Sequence, residues 1–110
     1  MTAKDVSERI LCAAIHFDDG KKYDNPHRPP NVETGIVVCG HRHPHCFAIF
    51  GALAPMRATA RDRATSGIVE TQGFLTSSGR FVNRADAAVI ARAAHQTETK
   101  DRVLYSEDLY

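Results

Sequence analysis

The stretch that most limits how this chain can fold is residues 21–31, where Pro26, Pro29 and Pro30 fall among charged and amide side chains. Proline lacks a backbone donor and restricts the residue before it, so this stretch is predicted as a surface loop rather than a helix. On either side lies a short apolar run. Residues 10–17 form the first, ended by the turn signal Asp18-Asp19-Gly20. Residues 34–40 form the second and are rich in β-branched side chains. Both are predicted as strands. Being neighbours in sequence, they are expected to pair antiparallel, with the proline segment as an unusually long hairpin connection. Long ordered loops often carry function.

After Gly40 comes His41-Arg42-His43-Pro44-His45-Cys46. Pro44 suits the first turn of a helix. Phe47, Phe50 and Ala54 then share one helical face, with Ile49 and Leu53 beside them, so a helix is predicted over residues 44–54, stopped by Pro55. Residues 56–66, rich in Arg, Ala and Thr, read equally as a helical extension or a loop. Residues 68–76 contain a third extended segment, Ser77-Ser78-Gly79 a turn, and Arg80-Phe81-Val82 a brief return strand. Asn83 has the chemistry of an N-cap, with Asp86 three residues on. The helix predicted over residues 84–95 places Ala87, Ile90, Ala91 and Ala94 on one shallow face that permits close approach to a sheet or to another helix. Residues 103–110 read as one more strand with an acidic end. The fold class is therefore α+β: a small antiparallel sheet packed with two main helices, one domain over residues 1–110.

A chain of 110 residues supports one modest core. Its formal charge of +1 gives no global field for wrapping a DNA or RNA polymer. No apolar run reaches membrane-spanning length, and the polar start lacks the pattern of a signal peptide, so a cytoplasmic location is expected. The cysteines are Cys12, Cys39 and Cys46, an odd number that argues against a disulfide framework. Cys12 and Cys39 lie in apolar runs and are expected to behave as small core residues.

Two constellations could carry chemistry. The first is the His-Cys segment at 41–46. Its side chains invite a zinc reading, in which the chain would be a zinc-binding interaction protein or an inhibitor of a host enzyme. Zinc ligands usually come from two separated knuckles, and here they crowd one segment, so no metal and no other cofactor is expected. The alternative for this turn is anion recognition. A glycine lets backbone approach a ligand, helix-start amides suit phosphate, and the guanidinium of Arg42 supplies a planar fork of donors, with His43 beside it. The second constellation is Gln72, Phe74, Phe81, Asn83 and Arg84. Phe81 would stack on a base and Arg84 would bind a phosphate; the plainer reading makes Phe74 and Phe81 core residues. Enzyme signatures are absent: there is no nucleophile elbow, no phosphate-binding loop and no Glu-flanked histidine motif. A Cys46–His nucleophile pair is formally possible, but nothing orders it. The chain is read as a binding protein, not an enzyme.

Several segments together resemble a widespread group of small phage and prophage proteins: residues 10–15, Gly40-His41-Arg42-His43-Pro44-His45-Cys46, Gln72-Gly73-Phe74-Leu75-Thr76, Phe81-Val82-Asn83-Arg84-Ala85-Asp86-Ala87, Ile90-Ala91, Gln96 and residues 104–110. The group pattern is a first strand, a Gly-x-Arg-His turn, a Gly-Phe-Leu-Thr hairpin and a Phe-Val-Asp-Arg-x-Glu-Ala helix start. This chain has Asn83 and Asp86 where the pattern has Asp and Glu; capping survives the change, but ligand contact through them is not assured. The same segments resemble the first-described type of Thoeris anti-defence protein. That resemblance implies a sponge that sequesters nucleotide immune signals, such as cyclic ADP-ribose isomers and cyclic oligonucleotides, without degrading them. It also implies a homo-oligomer, with a hexamer as one candidate state and pockets between protomers. On this resemblance Arg42, Phe81 and Arg84 match the turn Arg and the helix-start Phe and Arg. The ligand-binding set is thus Arg42, His43, Gln72, Phe74, Phe81, Asn83 and Arg84.

Overall fold

The computed structural model describes residues 8–24, 26–57 and 68–109. Strand β1 spans Ile10–Asp18 and β2 spans Ile36–Gly40. Helix α1 covers His43–Arg57. Strands β3 (Val69–Thr76) and β4 (Phe81–Asn83) form the second hairpin, and helix α2 (Arg84–Ala93) follows without a break. A 3-10 turn at Ser106–Asp108 lies near the end. The strands form one antiparallel sheet in the order β2-β1-β3-β4. The α+β expectation holds, as does the antiparallel pairing of the first two runs across the proline-rich loop.

Strand register sorts the side chains onto two faces, because successive residues of a strand point to opposite sides. Ile15 pairs with Val38, Ala13 with Phe74, and Phe74 with Val82. These residues and Phe17 make the inner face, which both helices cover. Helix α1 adds Cys46 and Phe50, and the ring of Phe50 stacks on Phe17 with centroids 3.9 Å apart. Helix α2 adds Ala87, Ala88 and Ala91, all fully buried, and Leu104 closes the end of this core. The other face carries Ala14, Val37, Cys39, Leu75 and Phe81, packed with Val32 from the proline-rich loop. Asn31 holds that loop on the edge strand: its amide oxygen accepts from the Phe81 N–H at 3.0 Å and its amide nitrogen donates to the Phe81 carbonyl at 2.6 Å.

Three local expectations are corrected. Helix α1 does not stop at Pro55 but runs to Arg57. A proline removes one donor, here the one that would reach Gly51, and a helix near its end tolerates that loss. The remainder of the 56–66 segment lies outside the described residues. The final segment is not a strand: its 3-10 turn is capped by a bond from the Tyr105 N–H to the Asp108 carboxylate. Cys12 and Cys39 are only half-buried, since they sit on the sheet face that neither α1 nor α2 covers; Cys46, on α1, is the buried thiol.

The Asn83 cap forms as its chemistry predicts. Its side-chain oxygen accepts from the Asp86 amide at 2.8 Å. Helix α2 ends at Ala93, and His95 follows in the left-handed region at φ 59°. Gln96 then turns back onto β1, accepting from the Ile10 N–H and donating to the Ile10 carbonyl, both at 2.7 Å. A side-chain amide thus imitates a strand partner where β1 begins.

Candidate functional site

Arg84 opens helix α2 beside β3, and its guanidinium makes three contacts. One nitrogen donates to the Leu104 carbonyl at 3.0 Å, another donates to the side-chain oxygen of Gln72, and the group lies 4.8 Å from the ring centre of Tyr105. A planar cation with several donors can satisfy a carbonyl, an amide and an aromatic face together, which a lysine cannot. The result is that β3, the start of α2 and the C-terminal segment meet at one point.

Arg42 reaches the same place from the turn between β2 and α1. Its guanidinium lies 3.9 Å from the Glu107 carboxylate, a loose ion pair in which the Glu107 side chain is 74% exposed and that of Arg42 32%. Such a pair contributes little stability. Its value here is positional: both Arg42 and Arg84 help hold the Glu107 carboxyl below the ordinary range, after the larger effect of a backbone amide bond. The turn itself is fixed by His45, whose Nδ1 accepts from the Arg42 N–H at 3.2 Å.

His43 points the other way, into the protein. It is buried, its Nε2–H donates to the Gly73 carbonyl at 2.8 Å, and its ring meets Phe74 edge-on at 5.0 Å. Burial lowers its pKa, and the charge of Arg84 pushes the same way, against the raising effect of the Gly73 bond and of Glu107. The carbonyl partner requires a proton on Nε2, and burial favours the neutral form of the ring. Gly73 has no room for a side chain, since an added Cβ would stand 2.0 Å from the Val82 carbonyl oxygen.

Arg42, His43, Gln72, Phe74 and Arg84 therefore assemble around the C-terminal turn, with Phe74 and His43 as its floor. Phe81 and Asn83 do not join them. Phe81 is 8% exposed and projects from the opposite face of the sheet, where it meets the His16 ring edge-on at 5.8 Å. Asn83 spends its side chain on the helix cap. Tyr105 and Glu107 complete the cluster, and the sequence reading assigned them no role. The signal was present in residues 104–110, but an isolated Leu-Tyr pair before acids reads locally as strand or tail. Among the described residues, no three His, Cys, Asp or Glu side chains converge as a metal cage. The His-Cys segment is instead divided between the core (His43, Cys46) and the surface (His41, His45).

The chain is a small four-stranded α+β domain whose paired-arginine cluster is closed by its own C-terminal turn. A family model described as Phage T4 y16D protein matches residues 9–110, and the chain belongs to that family of small phage proteins. No match was found among curated proteins or among solved structures. No helix among the described residues is long and apolar enough to cross a membrane.

Proposed function

We propose that this protein binds a nucleotide signalling molecule, a cyclic ADP-ribose isomer or a cyclic oligonucleotide, and sequesters it without cleaving it. The observation that carries the reading is the convergence of Arg42 and Arg84 on one acidic turn. They are 42 residues apart in sequence, yet Arg84 bonds to Leu104 at the start of the turn and Arg42 pairs with Glu107 within it. A turn that holds a carboxylate 3.9 Å from one guanidinium, with a second guanidinium bonded to its other end, also suits a phosphate, and Tyr105, 45% exposed, offers a flat face beside it. Membership in a family of phage proteins fits an anti-defence role, and the resemblance to Thoeris anti-defence sponges supplies the ligand class.

In this reading Arg42, which reaches the cluster from the turn before α1, makes the direct phosphate contact. Arg84 shapes the site and adds charge. Gln72, His43 and Phe74 keep Arg84 and the turn in place. The binding unit is a homo-oligomer, in which a neighbouring protomer completes the pocket. The alanine face of α2 is not the contact, because Ala87, Ala88 and Ala91 already pack inside their own domain. The exposed apolar residues Val69, Val89, Leu11 and Ile49 are better placed for it. Incubating the protein with these nucleotides and recovering them after heat denaturation tests sequestration against hydrolysis. Intact ligand returned in the amount bound is expected, and a cleaved product would overturn the reading.

A further inference from the structure

We propose that Cys12 and Cys39 are a redox-active dithiol on the sheet face opposite α1 and α2, oxidised by hydroperoxides to a disulfide that staples β1 to β2. The register carries the argument. Ala14 pairs directly with Cys39, so Cys12, two residues before Ala14, lies on the same face and diagonally across from Cys39. Both thiols are half-buried and therefore reachable, and they lie close enough to interact, Cys39 lowering the pKa of Cys12. Cys46, the third thiol, is on α1 and fully buried against the other face.

The neighbourhood permits closure. Diagonal partners sit near the long end of the distance a disulfide can span, so the strands must draw together slightly. The chain can yield here: β1 carries a bulge between Ile10 and Cys12, and β2 ends one residue after Cys39 at Gly40. A bridge closed under such strain is easily reduced, as a reversible switch requires.

The chemistry divides between the two sulfurs. The interaction with Cys39 brings Cys12 down to about 7, while the same interaction, together with burial, raises Cys39. Cys12 is then the nucleophile. Its thiolate attacks one oxygen of the hydroperoxide, the O–O bond breaks, and the departing hydroxide or alkoxide takes up a proton, leaving a sulfenic acid on Cys12. The Cys39 sulfur attacks that sulfur, the S–O bond breaks, and hydroxide leaves with the Cys39 proton as water. Two thiols and one hydroperoxide give one disulfide, one water and one alcohol or second water. Two electrons pass from sulfur to oxygen. Burial lifts Cys46 to about 11, so it remains a thiol.

This assignment is independent of the nucleotide reading. The test treats the full chain with hydrogen peroxide at neutral pH, then digests it without reductant and maps the peptides by mass spectrometry. A Cys12–Cys39 linked pair, two hydrogens lighter and released by dithiothreitol, is expected, with Cys12 reacting at least about tenfold faster than Cys46. In Cys39→Ala the Cys12 sulfenic acid should persist and be captured by dimedone. Oxidation of Cys12 to sulfinic acid in the parent protein with no linked peptide would overturn the proposal. So would linkage through Cys46, or no reaction at peroxide levels that oxidise glutathione.

Discussion

Arg84 and Leu104 hold each other by two bonds: the Arg84 guanidinium donates to the Leu104 carbonyl, and the Leu104 amide donates to the Arg84 carbonyl, each at 3.0 Å. This reciprocal clamp fixes the C-terminal segment against the start of α2 and so positions Tyr105 and Glu107. Arg84→Ala should therefore lower stability by about 1.5–3 kcal/mol, the range for hydrogen bonds to a charged group. A denaturant midpoint unchanged from the parent protein would show that the clamp contributes nothing.

Acid should loosen the N-terminal end of the sheet. Glu8 makes a two-point pair with Arg80, with both bonds at 2.7 Å, and also accepts from Thr76 and Ser78. The Arg80 bond, then Ser78 and Thr76, bring its pKa from 4.5 to about 2 against the cost of burial. A carboxyl lowered in the folded state adds stability that is complete above its unfolded pKa. That stability is lost as pH falls through the folded value, here between about 4.5 and 2. With both side chains partly exposed, the contribution is on the order of 1 kcal/mol after screening. Glu8→Gln should remove this part of the acid dependence; identical melting curves for parent and variant between pH 5 and 2 would refute it.

How much of this was legible in the sequence differs from residue to residue. The Asn83 cap was, because a cap is a local device: an amide side chain and a free helix-start donor three positions further on. The first hairpin was legible for a similar reason, with prolines forbidding helix between two β-branched runs. The pairing of Arg84 with Gln72 was not, since it depends on how β3 lies against α2, and no short-range pattern encodes that. Nor was the face chosen by Phe81, which in a three-residue strand is fixed by the Phe74–Val82 register alone. The alanine face of α2 was visible, but alanine suits a sheet of the same chain as well as a partner's helix. Only the fold decided between them.

The proline-rich loop should depend on one side chain. Asn31 makes both bonds to the Phe81 backbone, and Asn31→Ala leaves that donor and acceptor without their partner. A loss of about 1–3 kcal/mol is expected. Amide exchange at Phe81 should accelerate locally; unaltered protection there would mean the loop is held by other contacts.

Self-association follows from the proposed pocket. Light scattering at micromolar concentration should report an oligomer, and replacing exposed Val89 with Glu should shift it toward smaller species without unfolding it. A parent protein that remains a monomer would remove the shared pocket from the account.

The most direct test of nucleotide sequestration is calorimetric titration of the parent protein and Arg42→Ala with cyclic ADP-ribose isomers and cyclic di- and trinucleotides. A charge-assisted bond contributes about 1.5–3 kcal/mol, and each tenfold in affinity is about 1.4 kcal/mol. The parent should bind at least one of these ligands, weakening with added salt, and Arg42→Ala should bind it roughly ten- to a hundredfold more weakly while keeping the parent's melting temperature. A parent that binds none of them, or a folded Arg42→Ala that binds as tightly as the parent, would contradict the account.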